Sequence, residues 1–115
     1  MMGIVYLDLI QNINTMNINF EYKDVSASAR LEALATEKLE KLEAKYDFIV
    51  NADVYFKKEN TTSDDTGRIT EIRINVPGTT LFAQANNGKF ESSLAKAASE
   101  VATQLRKKKD KMQTY

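Results

Sequence analysis

The chain has 115 residues and a formal net charge of zero, and it contains neither cysteine nor histidine. This length suits one domain with its own core. Missing cysteine excludes disulfides, thiolate zinc sites and cysteine nucleophiles, and missing histidine removes most general-base, imidazole-metal and triad chemistry. We therefore expect no enzyme, no catalytic residue, no metal site and no cofactor, and a reducing cytoplasm is the expected compartment.

The first fifteen residues differ from the rest because they contain a short apolar run, residues 4–10, broken by Asp8. The run lacks the basic region and the cleavage site of a signal peptide, and it is far shorter than the roughly twenty apolar residues of a membrane span. We interpret residues 1–15 as an extension preceding a domain at 16–115. Three interpretations of it stay open: a disordered tail, an added strand, or sequence upstream of a true start at Met16.

A strand and a helix are the first elements that the pattern predicts. Apolar and polar side chains alternate at Ile18, Phe20 and Tyr22, which is typical of a half-buried strand. Ser28 is a suitable N-cap for a helix that continues to about residue 45. The apolar stripe of this helix consists of Leu31, Leu34, Ala35, Leu39, Leu42 and Tyr46.

Three more strands follow, with inner faces at Ala52, Val54 and Phe56, at Ile72, Ile74 and Val76, and at Leu81, Ala83 and Ala85. The polar run from Glu59 to Gly67 predicts a mobile hairpin loop, and Pro77-Gly78 fits the central positions of a type II turn. These connections are too short for crossovers, so the last three strands are expected to be antiparallel neighbours.

A second long helix is predicted after Gly88, with one apolar stripe at Phe90, Leu94, Ala97, Ala98, Val101, Leu105 and Met112. The element order is then β-α-β-β-β-α. This order predicts an α+β fold: a two-layer sandwich in which both helices cover one face of a four-stranded sheet and the other face is open.

The neutral net charge conceals an uneven distribution. From Lys89 to the end there are seven basic and three acidic residues, whereas the preceding 88 residues hold nine basic and thirteen acidic ones. Such a cationic end indicates a polyanionic partner. In helical projection Lys89, Lys96, Lys107 and Lys111 share one flank of the apolar stripe, and Arg106 and Lys109 share the other. The alternative is that lysines at a helix end only offset its dipole.

Other charged and aromatic residues are more ambiguous. In the first helix Lys38, Lys41 and Lys45 alternate with glutamates, which suits a self-paired solvated face. Tyr55 and Lys57 are predicted on the open sheet face, where the tyrosine could stack on a base or simply support cross-strand packing. The carboxylates of the 59–67 loop have no metal-ligand spacing.

The order of elements and several motifs together resemble the ribosome hibernation promoting factor family, also called ribosome-associated inhibitor or S30AE proteins. The likeness extends from Met16 to Tyr115 and fits a short form without a second domain. The motifs that carry it are Val25-Ser26-Ala27-Ser28, Lys38-Leu39-Glu40-Lys41-Leu42-Glu43, Tyr46-Asp47-Phe48-Ile49 and the ending at residues 102–112.

The resemblance implies a fold like that of double-stranded-RNA-binding domains, and a cytoplasmic protein of stationary phase or stress. Such proteins lie in the mRNA and tRNA channel of the small ribosomal subunit, contact its rRNA and inhibit translation. A second hibernation factor is a further possible partner, and neither a membrane nor a small-molecule substrate is expected. The resemblance assigns rRNA contacts to Lys38, Lys41, Lys57, Lys107, Lys109 and Lys111. Our projection adds Lys89, Lys96 and Arg106.

Glu32, Glu100 and Thr103 stand where the family often has basic residues, so the C-terminal cluster is expected to carry more of the contacts. A different function also stays open. The chain could be a protein-interaction or dimerisation module that uses the open sheet face or an edge strand.

Overall fold

The strands and helices follow the predicted order in the computed structural model, which describes residues 16–112. The elements are β1 (Asn17–Lys23), α1 (Ala29–Lys45), β2 (Asn51–Lys58), β3 (Arg68–Val76), β4 (Thr79–Asn87) and α2 (Phe90–Met112). The interpretations of residues 1–15 lie outside the described part of the chain. The α+β sandwich with the order β-α-β-β-β-α is therefore confirmed.

The sheet has the strand order β1-β2-β3-β4. The last three strands are antiparallel neighbours, as predicted, whereas β1 is parallel to β2. Parallel strands require a crossover, and α1 provides it on one face of the sheet. The helix α2 packs on β3 and β4 and also contacts α1, so both helices cover the same face.

The core lies between that face and the helices. The inner side chains of β2 are Ala52, Val54 and Phe56, each 0% exposed, and from α2 Leu94 and Leu105 are equally buried. The predicted stripes are thus confirmed, with one correction at Met112. That side chain is 44% exposed because the last turns of α2 pass beyond the buried part of the stripe.

One polar pair lies inside the core. The hydroxyls of Thr70 on β3 and Ser93 on α2 are 2.7 Å apart, and both side chains are fully buried. Each hydroxyl would cost free energy if buried alone, so their hydrogen bond fixes how α2 sits on the sheet.

The start of α1 is fixed by hydrogen bonds to β1. The Leu31 backbone N–H donates to the Ser28 hydroxyl at 3.2 Å, which confirms the predicted N-cap. The Tyr22 hydroxyl donates to a Glu32 carboxylate oxygen at 2.6 Å, joining β1 to the first turn of α1. Burial and this hydrogen bond raise the pKa of Tyr22.

The two hairpin connections differ in how closely they pack. Gly78 has a φ of +86°, as the predicted type II turn requires, and it is open to solvent. In the 59–67 loop, the Gly67 N–H donates to the Asn86 side chain at 2.7 Å. A Cβ at Gly88 would lie 2.2 Å from the Asp64 carbonyl oxygen, so this loop packs against the approach to α2. Its mobility stays a prediction.

Candidate nucleic-acid interface

The two helices run side by side in the same direction. Near their starts, the Arg30 guanidinium pairs with the Glu91 carboxylate, and this hydrogen bond lowers the pKa of Glu91. Near their ends, the Lys109 ammonium lies 5.8 Å from the centre of the Tyr46 ring. The C-terminal ends of both helices, which carry the negative ends of their dipoles, therefore meet at one end of the domain.

The lysines of α1 lie on its side towards α2. At about 100° per residue, they project onto the same flank as Arg30, which contacts α2. Two charged residues of α2 project onto the flank that carries Glu91, which contacts α1. We call this shared surface the inter-helix basic surface, and it consists of Lys38, Lys41, Lys45, Arg106 and Lys109.

Two of the four carboxylates of α1 lie on the other side of that helix, whereas Glu37 and Glu40 project outwards. Glu32 and Glu43 project roughly opposite Arg30. Glu32 accepts the hydrogen bond from Tyr22 on β1, so this flank faces the β1 edge of the sheet. The flank of α1 that carries Glu32 and Glu43 is thus acidic, and the flank that carries its lysines is basic. An exception is Lys41, which also pairs with Glu37 at 3.4 Å.

We call the end of the domain where the C-terminal ends of the two helices meet the basic end, and Tyr46 lies at its centre. Its ring is 3% exposed and has the Lys45 ammonium at 5.6 Å in addition to Lys109. The Tyr46 N–H also donates to the Leu42 carbonyl oxygen at 2.7 Å, ending α1. An aromatic face attracts cations, so the ring offsets part of the repulsion between the two ammonium groups. The sequence pattern marked Tyr46 only as a core position and missed this role.

Three lysines of α2, together with Lys89 just before it, project onto the opposite flank, which faces β4. That flank carries Gln104, whose side-chain amide accepts from the Phe82 backbone N–H at 3.2 Å and donates to the Phe82 carbonyl oxygen at 2.6 Å. We call these residues the β4-side lysine row, and they are Lys89, Lys96, Lys107 and Lys111.

Three of the predicted RNA-binding residues are not near the basic end. Lys96 lies in the first half of α2, roughly 17 Å along the helix axis from Lys107. Lys57 points to the open face of the sheet and pairs with Glu59 at 3.2 Å. Lys89 precedes the start of α2, roughly 27 Å along the helix axis from Lys107. The inter-helix surface and the last turns of α2 therefore hold most of the predicted set, and Lys57 belongs to another surface.

The open face is occupied by a cross-strand cluster. The Arg73 guanidinium lies 5.5 Å from the Tyr55 ring centre and 5.7 Å from that of Phe82. Its Nε donates to Glu71 at 3.0 Å, and a hydrogen bond with Glu21 raises the pKa of Tyr55. Tyr55 thus packs across strands with carboxylates around it, an arrangement that favours the packing interpretation over base stacking.

The described residues form neither a membrane-spanning helix nor a cluster of metal ligands. None of the helices in the described part is long and apolar enough to span a membrane. Between residues 16 and 112, carboxylates do not come together in groups of three or more that could hold a metal ion.

Comparison with known proteins points to one family. The family model described as sigma 54 modulation protein / S30EA ribosomal protein matches residues 18–113. No curated protein matches the chain significantly.

Solved structures give a consistent result. A ribosomal subunit interface protein from Coxiella burnetii is similar with a TM-score of 0.71 and 25% identity, covering 83% of this chain and 99% of that one. The N-terminal domain of Protein Y from Thermus thermophilus has a TM-score of 0.66 and 17% identity, covering 80% and 98% of the two chains. The second likeness concerns the fold alone.

Proposed function

Since the chain belongs to the S30AE family of ribosome-associated proteins, we propose that it binds the small ribosomal subunit in the mRNA and tRNA channel and inhibits translation in stationary phase or stress. The single observation that carries this proposal is the basic end, where two parallel helices bring their lysines and Arg106 together. The cytoplasm is the compartment of such a partner.

The chemistry of this end suits rRNA phosphates. Lysine and arginine side chains on exposed helix flanks reach phosphate oxygens without reading base edges, so the binding would be strong and largely independent of sequence. Glu32 and Glu43 of α1 project towards the β1 side, away from the inter-helix basic surface. Tyr46 holds Lys45 and Lys109 in place before RNA arrives, which lowers the entropy cost of ordering them.

Inhibition would follow from occupancy alone. A folded domain whose basic end binds the phosphates of the channel excludes mRNA and tRNA from the same space. This mechanism requires no reaction, no cofactor and no substrate. It also leaves open whether a second hibernation factor is needed to pair ribosomes, and sedimentation of stationary-phase ribosomes with and without the protein would answer that question.

Charge reversal in the last turns of α2 tests the proposal. The triple substitution Lys107→Glu, Lys109→Glu and Lys111→Glu should abolish co-sedimentation with small subunits, because repulsion replaces phosphate contacts at the basic end. Circular dichroism should show an intact fold, since Lys107 and Lys111 are exposed and Lys109 lies at the surface.

A matched variant changes the same charge elsewhere. It combines Lys23→Glu, Lys58→Glu and Arg68→Glu, three positions on the strands at the other end of the sheet. This variant should leave co-sedimentation nearly unchanged. For the native chain, affinity should fall steeply as salt rises, because the phosphate contacts release counterions. Retained binding by the α2 triple variant, or affinity indifferent to salt, would contradict the proposal.

Competition locates the site. Small subunits preloaded with mRNA and initiator tRNA should bind the protein much more weakly than empty subunits. Equal binding to both would place the protein outside the channel while leaving the rRNA contact itself intact.

A further inference from the structure

The two edges of the sheet differ in whether the outward backbone groups of the edge strand have a partner. At the β4 edge, Gln104 from α2 satisfies both the N–H and the carbonyl oxygen of Phe82. At the β1 edge, the strand has a hydrogen-bonded neighbour on one side only within residues 16–112. An uncovered edge is a template for another strand, and most proteins block it with a charge, a bulge or a cover.

The core is also incomplete beside β1. Its inward side chains Ile18, Phe20 and Tyr22 are only half-buried, whereas their direct neighbours on β2 are 0% exposed. Phe20 contributes to an open groove that continues over α1. The groove is lined by Phe20, Glu32, Ala33, Thr36, Glu37, Glu40, Lys41 and Ala44.

The lining combines an apolar floor with an acidic rim. Phe20, Ala33 and Ala44 supply the apolar surface, and three glutamates stand against one lysine. A lysine or arginine side chain fits this combination, because its aliphatic stem packs on apolar surface while its charged end reaches a carboxylate. The groove is therefore complementary to a basic extended segment rather than to an apolar one or to RNA.

We propose that the β1 edge accepts an extended lysine- or arginine-containing segment of a partner protein as a fifth strand. Its backbone would pair with the outward N–H and carbonyl groups of β1, as in other cases of strand addition. Alternate side chains of the segment would lie over Phe20 and place their cations near Glu32 and Glu40. Lys41 borders both surfaces, but the β1 edge and Glu40 lie outside the inter-helix basic surface, so the inference stands without the ribosomal proposal.

Peptide binding to the full chain tests the inference. We would use a fluorescent eight-residue peptide of alternating lysine and threonine, and the same peptide with glutamate in place of lysine. The lysine peptide should bind at least about tenfold more tightly than the glutamate peptide. Hydrogen exchange of amides in residues 17–23 should slow when the lysine peptide is added, because the new strand would protect the outward N–H groups of β1.

A pair of matched variants separates the groove from general attraction. Glu40→Lys places a cation in the groove and should weaken binding of the lysine peptide about tenfold, whereas Glu100→Lys makes the same charge change on α2 and should leave it within about twofold. Both glutamates are exposed, so neither change should unfold the chain.

Three results would overturn the inference. Protection of all β1 amides in the free chain would show that residues 4–10 already occupy the edge. Protection that rises with protein concentration would show that a second copy does. Peptide binding without slower exchange in β1 would show electrostatic adhesion without strand addition.

Discussion

The two helices carry their charges in different ways. The 17 residues of α1 include four basic and four acidic side chains, whereas the 23 residues of α2 include six basic and three acidic ones. By count α1 is neutral, yet its lysines lie towards α2 and Glu32 and Glu43 lie towards β1. A helix that is neutral in sequence can thus extend a basic surface on one side and form an acidic one on the other.

The largest expected effect concerns the packing that holds the basic end of α2. Leu105 is 0% exposed and is the last fully buried residue before the cluster. Leu105→Ala should lower the free energy of unfolding by about 2–5 kcal/mol, through lost burial and a residual cavity. Urea denaturation measures it. Lys107→Ala should change stability by less than about 0.5 kcal/mol, and a similarly small loss at Leu105 would mean that the end of α2 is not anchored as described.

The buried pair between β3 and α2 should have the next largest effect. Ser93→Ala should cost about 1–3 kcal/mol, because it leaves the buried Thr70 hydroxyl without its partner. Thr70→Val should cost less, because the Ser93 hydroxyl still donates to the Phe90 carbonyl oxygen at 3.2 Å. The double variant should cost less than the sum of the two. A double-mutant cycle by urea denaturation measures the coupling, and simple additivity would contradict the hydrogen bond.

Reversing the lysines of α1 tests whether its basic flank acts together with α2. Lys38→Glu with Lys45→Glu should weaken binding to small subunits at least about tenfold, through the loss of roughly two phosphate contacts. Glu37→Lys with Glu40→Lys is the control on the outward side of the same helix and should not weaken binding. If the lysine variant binds like the native chain, the basic flank of α1 does not contribute to binding.

The smallest expected effect concerns the contact between the starts of the helices. The pKa of Glu91 lies below its ordinary value of 4.5, so the contribution of its pair with Arg30 is complete above pH 4.5 and is lost as pH falls through the lowered pKa. Both side chains are substantially exposed, so Arg30→Ala should cost no more than about 0.5 kcal/mol at pH 7. At pH values well below the lowered pKa of Glu91, denaturation should show no difference in stability between the native chain and Arg30→Ala.

The elements and their layered arrangement were predictable from the sequence, whereas specific contacts between distant side chains were not. Ser28 as N-cap and the inner faces of the strands follow from patterns a few residues long. The contact between Tyr46 and Lys109 joins positions far apart in the chain, and no local period reveals it. Projection separated the cations of α2 into two flanks, but only the packed helices identify which flank faces α1. Met112 was misassigned because the stripe continues in sequence after the sheet ends.

The close approach of the 59–67 loop to Gly88 has a practical consequence for labelling the protein. A polar hairpin loop far from the basic end looks like the natural site for an inserted fluorescent tag. Because the Asp64 carbonyl lies where a Cβ at Gly88 would be, an insertion there would press on the segment that leads into α2. The turn at Gly78 has open space around it, but it lies at the same end of the sheet as the C-terminal ends of the helices. A reporter placed there would stand beside the proposed rRNA contacts, so neither hairpin is a neutral site for a label.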